Sequence, residues 1–188
     1  MKKTTDMGKI TDRRRESYLS DEVAQLLIEQ IGHELNNQYL YHNFAIWYDT
    51  NSYFGQAAYF YKRKEEEMNH AQWIIDYLTQ SDYSFEIPAT DPKLIDIYKG
   101  VTGKKLDIVH PHKATIDREI ETTELIHKIY EKALEKKDYI TTHWLKRLLE
   151  EQAEEEELSH VALDIFRHTS DPLIVDKYFK DVVIPSIE

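Results

Sequence analysis

The chain has 188 residues, 41% of them hydrophobic, a formal net charge of -11 and no cysteine. That length supports one sizeable core, and the acidic balance argues against a general binder of nucleic acid or anionic membrane while favouring cations as ligands. Without cysteine there are no disulfides, thiolate metal sites or cysteine nucleophiles. With no secretion-signal pattern and no apolar run near the roughly 20 residues of a membrane span, the chain reads as soluble and cytoplasmic.

Residues 1–19, which include Arg13-Arg14-Arg15, read as a flexible extension that is disordered or packs at an interface. Ser20 before Asp21 and Glu22 is an N-cap signal for a helix to about Thr50, where Asn51-Ser52 breaks it. A second helix is predicted from about Phe54 to Gln80. The stretch 81–111 then holds most of the turn residues, among them Pro88, Pro92, Gly100, Gly103 and Pro111, and Asp91-Pro92 can start a helical turn inside it. A third helix follows from about His112 to Lys136, and a fourth from about Asp138 to Phe166 after a tight turn at Lys137-Asp138. Asp171-Pro172 opens a short fifth helix over about 172–181. No strand pattern occurs, so residues 20–188 are expected to form one all-α domain.

Short connections make antiparallel neighbours, so the first two helices pair and the last two pair. The roughly 30-residue link between the pairs is long enough to run the length of a helix at about 3.3 Å per extended residue. The expected architecture is an antiparallel four-helix bundle with one long crossover.

Steps of three and four trace the inward face of each helix. The first gives Leu27, Ile31, Glu34, Gln38, Tyr41, Ala45 and Tyr48, and the second Phe60, Glu67, His70, Ile74 and Tyr77. The third gives Ile116, Glu119, Thr123, Ile126, Tyr130 and Ala133, and the fourth Leu145, Leu148, Gln152, Glu155, Ser159, Ala162 and Phe166. Each stripe carries one acidic residue. A lone glutamate on such a stripe is more often a rim residue than a ligand, but these four fall at similar depth when counted from the turns at about 1.5 Å per residue.

Four carboxylates facing one another in a dry interior would each cost several kcal/mol unless something positive sits between them. Arg63, at the edge of the second stripe, is one basic candidate and cannot neutralise all four. Two divalent cations can. Glu67 and His70 stand one turn apart on one face, the i, i+3 spacing of a buried metal site, and hard oxygens with a single imidazole suit iron or manganese, with zinc a competitor. The acidic run Glu150 to Glu157 would ordinarily be a solvated face, but a helix spreads it around its circumference, so part of it points inward. Tyr41, two turns beyond Glu34, lies near the same level. His110 and His112 flank Pro111 and read as ordinary loop histidines.

The segments His33-Glu34-Leu35 through Tyr41, Glu65-Glu66-Glu67-Met68-Asn69-His70, Arg118-Glu119, Lys136-Lys137-Asp138-Tyr139 and Glu150 through Glu155 together resemble the prokaryotic non-haem ferritins, over about residues 20–166. The resemblance implies a ferritin-like bundle and an iron-storing ferroxidase. Glu34, Glu67 and His70 would bind the first iron, and Glu67 would bridge to a second held by Glu119 and Glu155 and approached by Gln152. It further implies a third iron site at Glu66, Glu151 and Glu154 with Glu155 shared, and a redox tyrosine at Tyr41. Gln152 and Glu155 stand where bacterioferritins have Glu-x-x-His, and no haem is expected despite Met68. Expected partners are Fe(II), dioxygen or hydrogen peroxide, and further copies of the chain in a shell of twenty-four. A ferritin-like di-metal oxidase or peroxide scavenger without storage, and a non-catalytic DNA-protecting shell, are the competing readings.

Overall fold

The computed structural model describes residues 18–90 and 108–186, and among these no strand occurs. The expected arginine-rich tail, the Asp91-Pro92 turn and most of the crossover lie outside the described residues. Four long helices form the body: α1 (Asp21–Thr50), α2 (Phe54–Gln80), α3 (His110–Glu135) and α4 (Tyr139–His168). A short α5 (Pro172–Tyr178) continues through a π-helical turn, Phe179–Val183, into a last turn at Ile184–Ser186, longer than the expected 172–181. No helix among the described residues is long and apolar enough to cross a membrane.

The ends follow local chemistry. Ser20 accepts a hydrogen bond from the Val23 amide at 3.3 Å, Asp138 from Thr141 at 2.9 Å and Asp171 from Leu173 at 2.9 Å, each satisfying an amide the helix leaves unpaired. Non-glycine residues at positive φ turn the chain after α1, α2 and α3: Ser52 at 65°, Asp82 at 54° and Lys137 at 57°. The packed structure already includes Tyr18 and Leu19. Leu19 is buried, and the Tyr18 hydroxyl lies 3.0 Å from Ser81 Oγ at the end of α2.

The third helix corrects one expectation. Its first turn takes in His110 and Pro111, because a proline at the first helical positions gives up no intrahelical hydrogen bond. His112 is therefore no loop residue. It is buried among Tyr48, Tyr59, Phe60, Phe166 and Phe179, with its Nε2 3.1 Å from Gln56 Oε1. Burial pulls its pKa down to about 3, so the ring is neutral.

Two apolar plugs fill the bundle. One contains Leu19, Val23, Leu27, Ile31, Ala71, Ile74, Ile126, Ile129, Leu145 and Leu148. The other is rich in aromatics, with Phe44, Trp47, Tyr48, Tyr59 and Phe60 closed off by Val175, Phe179 and Val183 from the C-terminal segment. Each fully buried Leu, Ile or Phe contributes about 1.5–3 kcal/mol. In every long helix the two plugs are separated by a short polar stretch, and those stretches form one layer across the bundle. The C-terminal segment docks where α2 begins: a Cβ on buried Gly55 would meet the Asp176 carbonyl oxygen at 2.1 Å, and the Gln56 amide donates to Asp176 at 2.9 Å.

Candidate metal centre

Glu34 of α1, Glu67 and His70 of α2, Glu119 of α3, and Gln152 and Glu155 of α4 are all buried in the polar layer. They converge as two groups that share Glu67. Ligand atoms of Glu34, Glu67 and His70 lie within 4.8 Å of one another, and so do those of Glu67, Glu119 and Glu155. Tyr41 joins the second group by donating to Glu119 Oε1 at 2.5 Å. Gln152 donates to the other oxygen of Glu119 at 2.9 Å, and Gln30 donates to Glu34 Oε1 at 2.6 Å.

Of the remaining candidates, Glu66 is half-buried and paired with Arg63 at 2.9 Å. Glu151 is half-buried and Glu154 exposed, and neither belongs to the two groups found among the described residues.

Several carboxylate oxygens have no donor. They are Glu34 Oε2, both oxygens of Glu67 and Glu155 Oε2. Burial, with the charges of Glu119, Glu34 and Glu155 around it, pushes Glu67 well above the usual carboxylate range. Burial raises Glu155 in the same way against the opposing effect of Arg63, and burial raises Glu34. Glu119 goes the other way: burial would raise it, but Arg63, Tyr41 and Gln152 together hold it below its ordinary value. Burial, and after it the Arg63 charge, brings His70 down to about 4, so its ring is neutral and its 3.7 Å approach to Glu155 is no ion pair at neutral pH. Orphaned hard oxygens beside a neutral imidazole are the donor set that a first-row divalent cation takes. The residues fit iron.

Two features were not foreseen. Arg63 belongs at the centre of the layer rather than at its edge. It is fully buried and pairs with Glu119 at 2.7 Å and Glu155 at 2.9 Å. The steps 60, 63, 67, 70, 74 already carry it inward, and only its charge argued otherwise. Beside the centre, Arg118 donates from Nε to Asn37 at 2.7 Å and from Nη2 to His33 Nδ1 at 3.1 Å, and His33 Nε2 lies 2.7 Å from Thr122. The Arg118 contact makes Nδ1 the acceptor, so the proton sits on Nε2. This network locks the residues next to Glu34 and Glu119.

A family model described as a ferritin-like domain matches residues 24–167. A bacterial non-heme ferritin of Campylobacter jejuni is 30% identical over 176 residues, 88% of this chain and 97% of that protein. One of Staphylococcus aureus is 28% identical over 153 residues, 81% and 87% of the two chains. An open-pore ferritin of the archaeon Archaeoglobus fulgidus superimposes with a TM-score of 0.74 at 20% identity, covering 87% of this chain and 97% of that one, which establishes the fold. The chain belongs to the ferritin family.

Proposed function

We propose that the chain is an iron-storing ferroxidase with Fe(II) as its substrate. One ion is taken by Glu34, Glu67 and His70, and a second by Glu67, Glu119 and Glu155, with Glu67 shared. Tyr41 and Gln152 hold Glu119 in place. Hard anionic oxygens favour Fe(III) over Fe(II), so the donor set draws iron toward the oxidised state. Two neighbouring Fe(II) ions supply the two electrons that reduce dioxygen to hydrogen peroxide, or hydrogen peroxide to water. Tyr41 is placed to join that electron transfer. Glu66, Glu151 and Glu154, with Glu155, serve as a third position for iron in transit. The product is deposited as mineral in a shell of identical subunits, twenty-four by likeness to the family.

The observation that carries this reading is Glu67, a buried carboxylate that accepts no hydrogen bond on either oxygen, has Arg63 no nearer than 4.0 Å and belongs to both groups at once. Leaving such a group uncompensated costs several kcal/mol, and a bridging cation removes that cost.

Size-exclusion chromatography coupled to metal analysis, before and after aerobic Fe(II) addition, tests the reading. The expected result is a hollow assembly that retains far more iron than its side chains can ligate. A small oligomer that oxidises Fe(II) without retaining it would instead indicate a di-metal oxidase or peroxide scavenger. DNA retention lost on removing residues 1–19 would indicate a DNA-protecting shell.

A further inference from the structure

The second cation position already holds a cation that the chain itself supplies. The Arg63 guanidinium donates from Nη2 to Glu119 at 2.7 Å and approaches Glu155 at 2.9 Å through Nη1, while Glu67 Oε1 lies 4.0 Å from Nη2. These are the same three carboxylates that converge as the second metal-binding group. The first group has no such occupant. Glu34 Oε2 and both oxygens of Glu67 are without donors, and His70 brings a neutral ring.

Charge makes the two positions compete. Once Glu34, Glu67, Glu119 and Glu155 are all ionised, Arg63 leaves the layer with three negative charges. One divalent ion at the first position reduces that to a single negative charge. A second divalent ion with the guanidinium still in place would make the dry interior net positive and bring three cationic groups within a few ångströms, where repulsion is weakly screened.

We infer that Arg63 is a positioning residue that makes the metal positions unequal: the first ion enters at Glu34, Glu67 and His70, and the second enters only by displacing the guanidinium from Glu119 and Glu155. The displaced group has a destination. Nη1 is already 2.9 Å from Glu66 Oε2, and the Glu66 side chain is 27% exposed. Rotation of the outer torsions of Arg63 keeps that pair while carrying the charge toward solvent. The inference rests on the reading of the layer as a site for two iron ions.

Equilibrium dialysis of the full chain against Zn(II), which undergoes no redox chemistry, reads both affinities without turnover. Wild type should bind one ion tightly and a second at least about tenfold more weakly. Arg63→Gln should strengthen the second by about tenfold or more and the first by a smaller factor, since the guanidinium occupies the ligands of the second position directly and reaches the first only through its charge. Arg63→Lys, which keeps the charge but loses the planar fork, should fall between the two. Two equally tight ions in wild type, or an unchanged second ion in Arg63→Gln, would overturn the role of Arg63 and leave the metal site standing. Should Arg63→Gln not fold, Arg63→Lys decides alone, and wild-type affinity for its second ion would overturn the inference. His70→Ala serves as the control for the first position. If wild type binds no Zn(II) that this change removes, the iron-site reading fails together with the inference.

Discussion

Replacing Glu67 with glutamine separates the cost of the residue in the metal-free chain from its use as a ligand. Neither carboxylate oxygen has a donor, and Glu34, Glu119 and Glu155 all crowd its charge. Glutamine keeps the shape and removes the charge. Against an unfolded chain that ionises it freely, holding this carboxyl protonated or unneutralised at pH 7 costs about 3 kcal/mol, and the unpaired amide of glutamine gives back about 1 kcal/mol, so the stripped variant should be about 2 kcal/mol more stable than wild type. For a chain of this size that is about 4–8 °C in the unfolding midpoint. The sign with pH follows from the raised pKa of Glu67. Between the ordinary carboxylate range and that raised value the folded chain binds more protons than the unfolded chain, so the wild type loses stability as pH rises through this window, and the variant loses less. Zinc should reverse the order. At a hundredfold excess over the dissociation constant the wild type gains about 2.7 kcal/mol, and the variant gains little because both groups have lost their shared ligand. Scanning calorimetry in chelator and then in Zn(II) reads both differences. A stripped Glu67→Gln protein less stable than wild type, or one that keeps the full zinc stabilisation, would refute the account of an uncompensated bridging carboxylate.

His70→Ala removes the one nitrogen donor of the two groups. Rapid Fe(II) oxidation followed by stopped-flow absorbance should fall by about 100-fold or more while slow mineral growth continues, and an unchanged rate would disprove the assignment. His112, with its pKa near 3, stabilises the fold fully above the unfolded value of 6.5 and loses that contribution as pH falls toward 3. Urea unfolding against pH should show His112→Phe lacking an acid-side loss on the order of 4 kcal/mol, and parallel curves would rule this out. Gly55→Ala drives a methyl against the backbone of Asp176 and Lys180. It should cost about 1–3 kcal/mol and raise hydrogen exchange over residues 172–186 with zinc affinity unchanged, whereas unaltered exchange there would contradict the packing.

The four glutamates, His70 and Gln152 were legible in the sequence because a polar residue in an apolar 3–4 rhythm conflicts with burial, and four such conflicts at one depth reinforce each other. Arg63 obeys the same rhythm, but an arginine on a helix ordinarily keeps its charged end in water, so its complete burial is visible only once the partner glutamates are placed around it. In α3 the true inward line runs through Thr115, Thr122 and Ile129 rather than Ile116, Thr123 and Tyr130. The threonine hydroxyls satisfy themselves locally, Thr115 on the Pro111 carbonyl and Thr122 on that of Arg118, so their polarity gave no reason to expect burial. In α1, Asn37 rather than Gln38 turns inward for the same kind of reason, being held by Arg118 and Thr122. His112 was misplaced because Pro111 reads equally as a loop residue and as the start of a helix.

The donors come from two separate hairpins. α1 and α2 provide Glu34, Glu67 and His70, while α3 and α4 provide Glu119 and Glu155. Arg63, reaching from α2 to Glu119 and Glu155, rivets one half of the molecule to the other, and an ion between Glu67 and the far pair would do the same. On the proposed reading, arrival of cargo would exchange one fastening for another, and the seam between the halves would stay tied throughout loading.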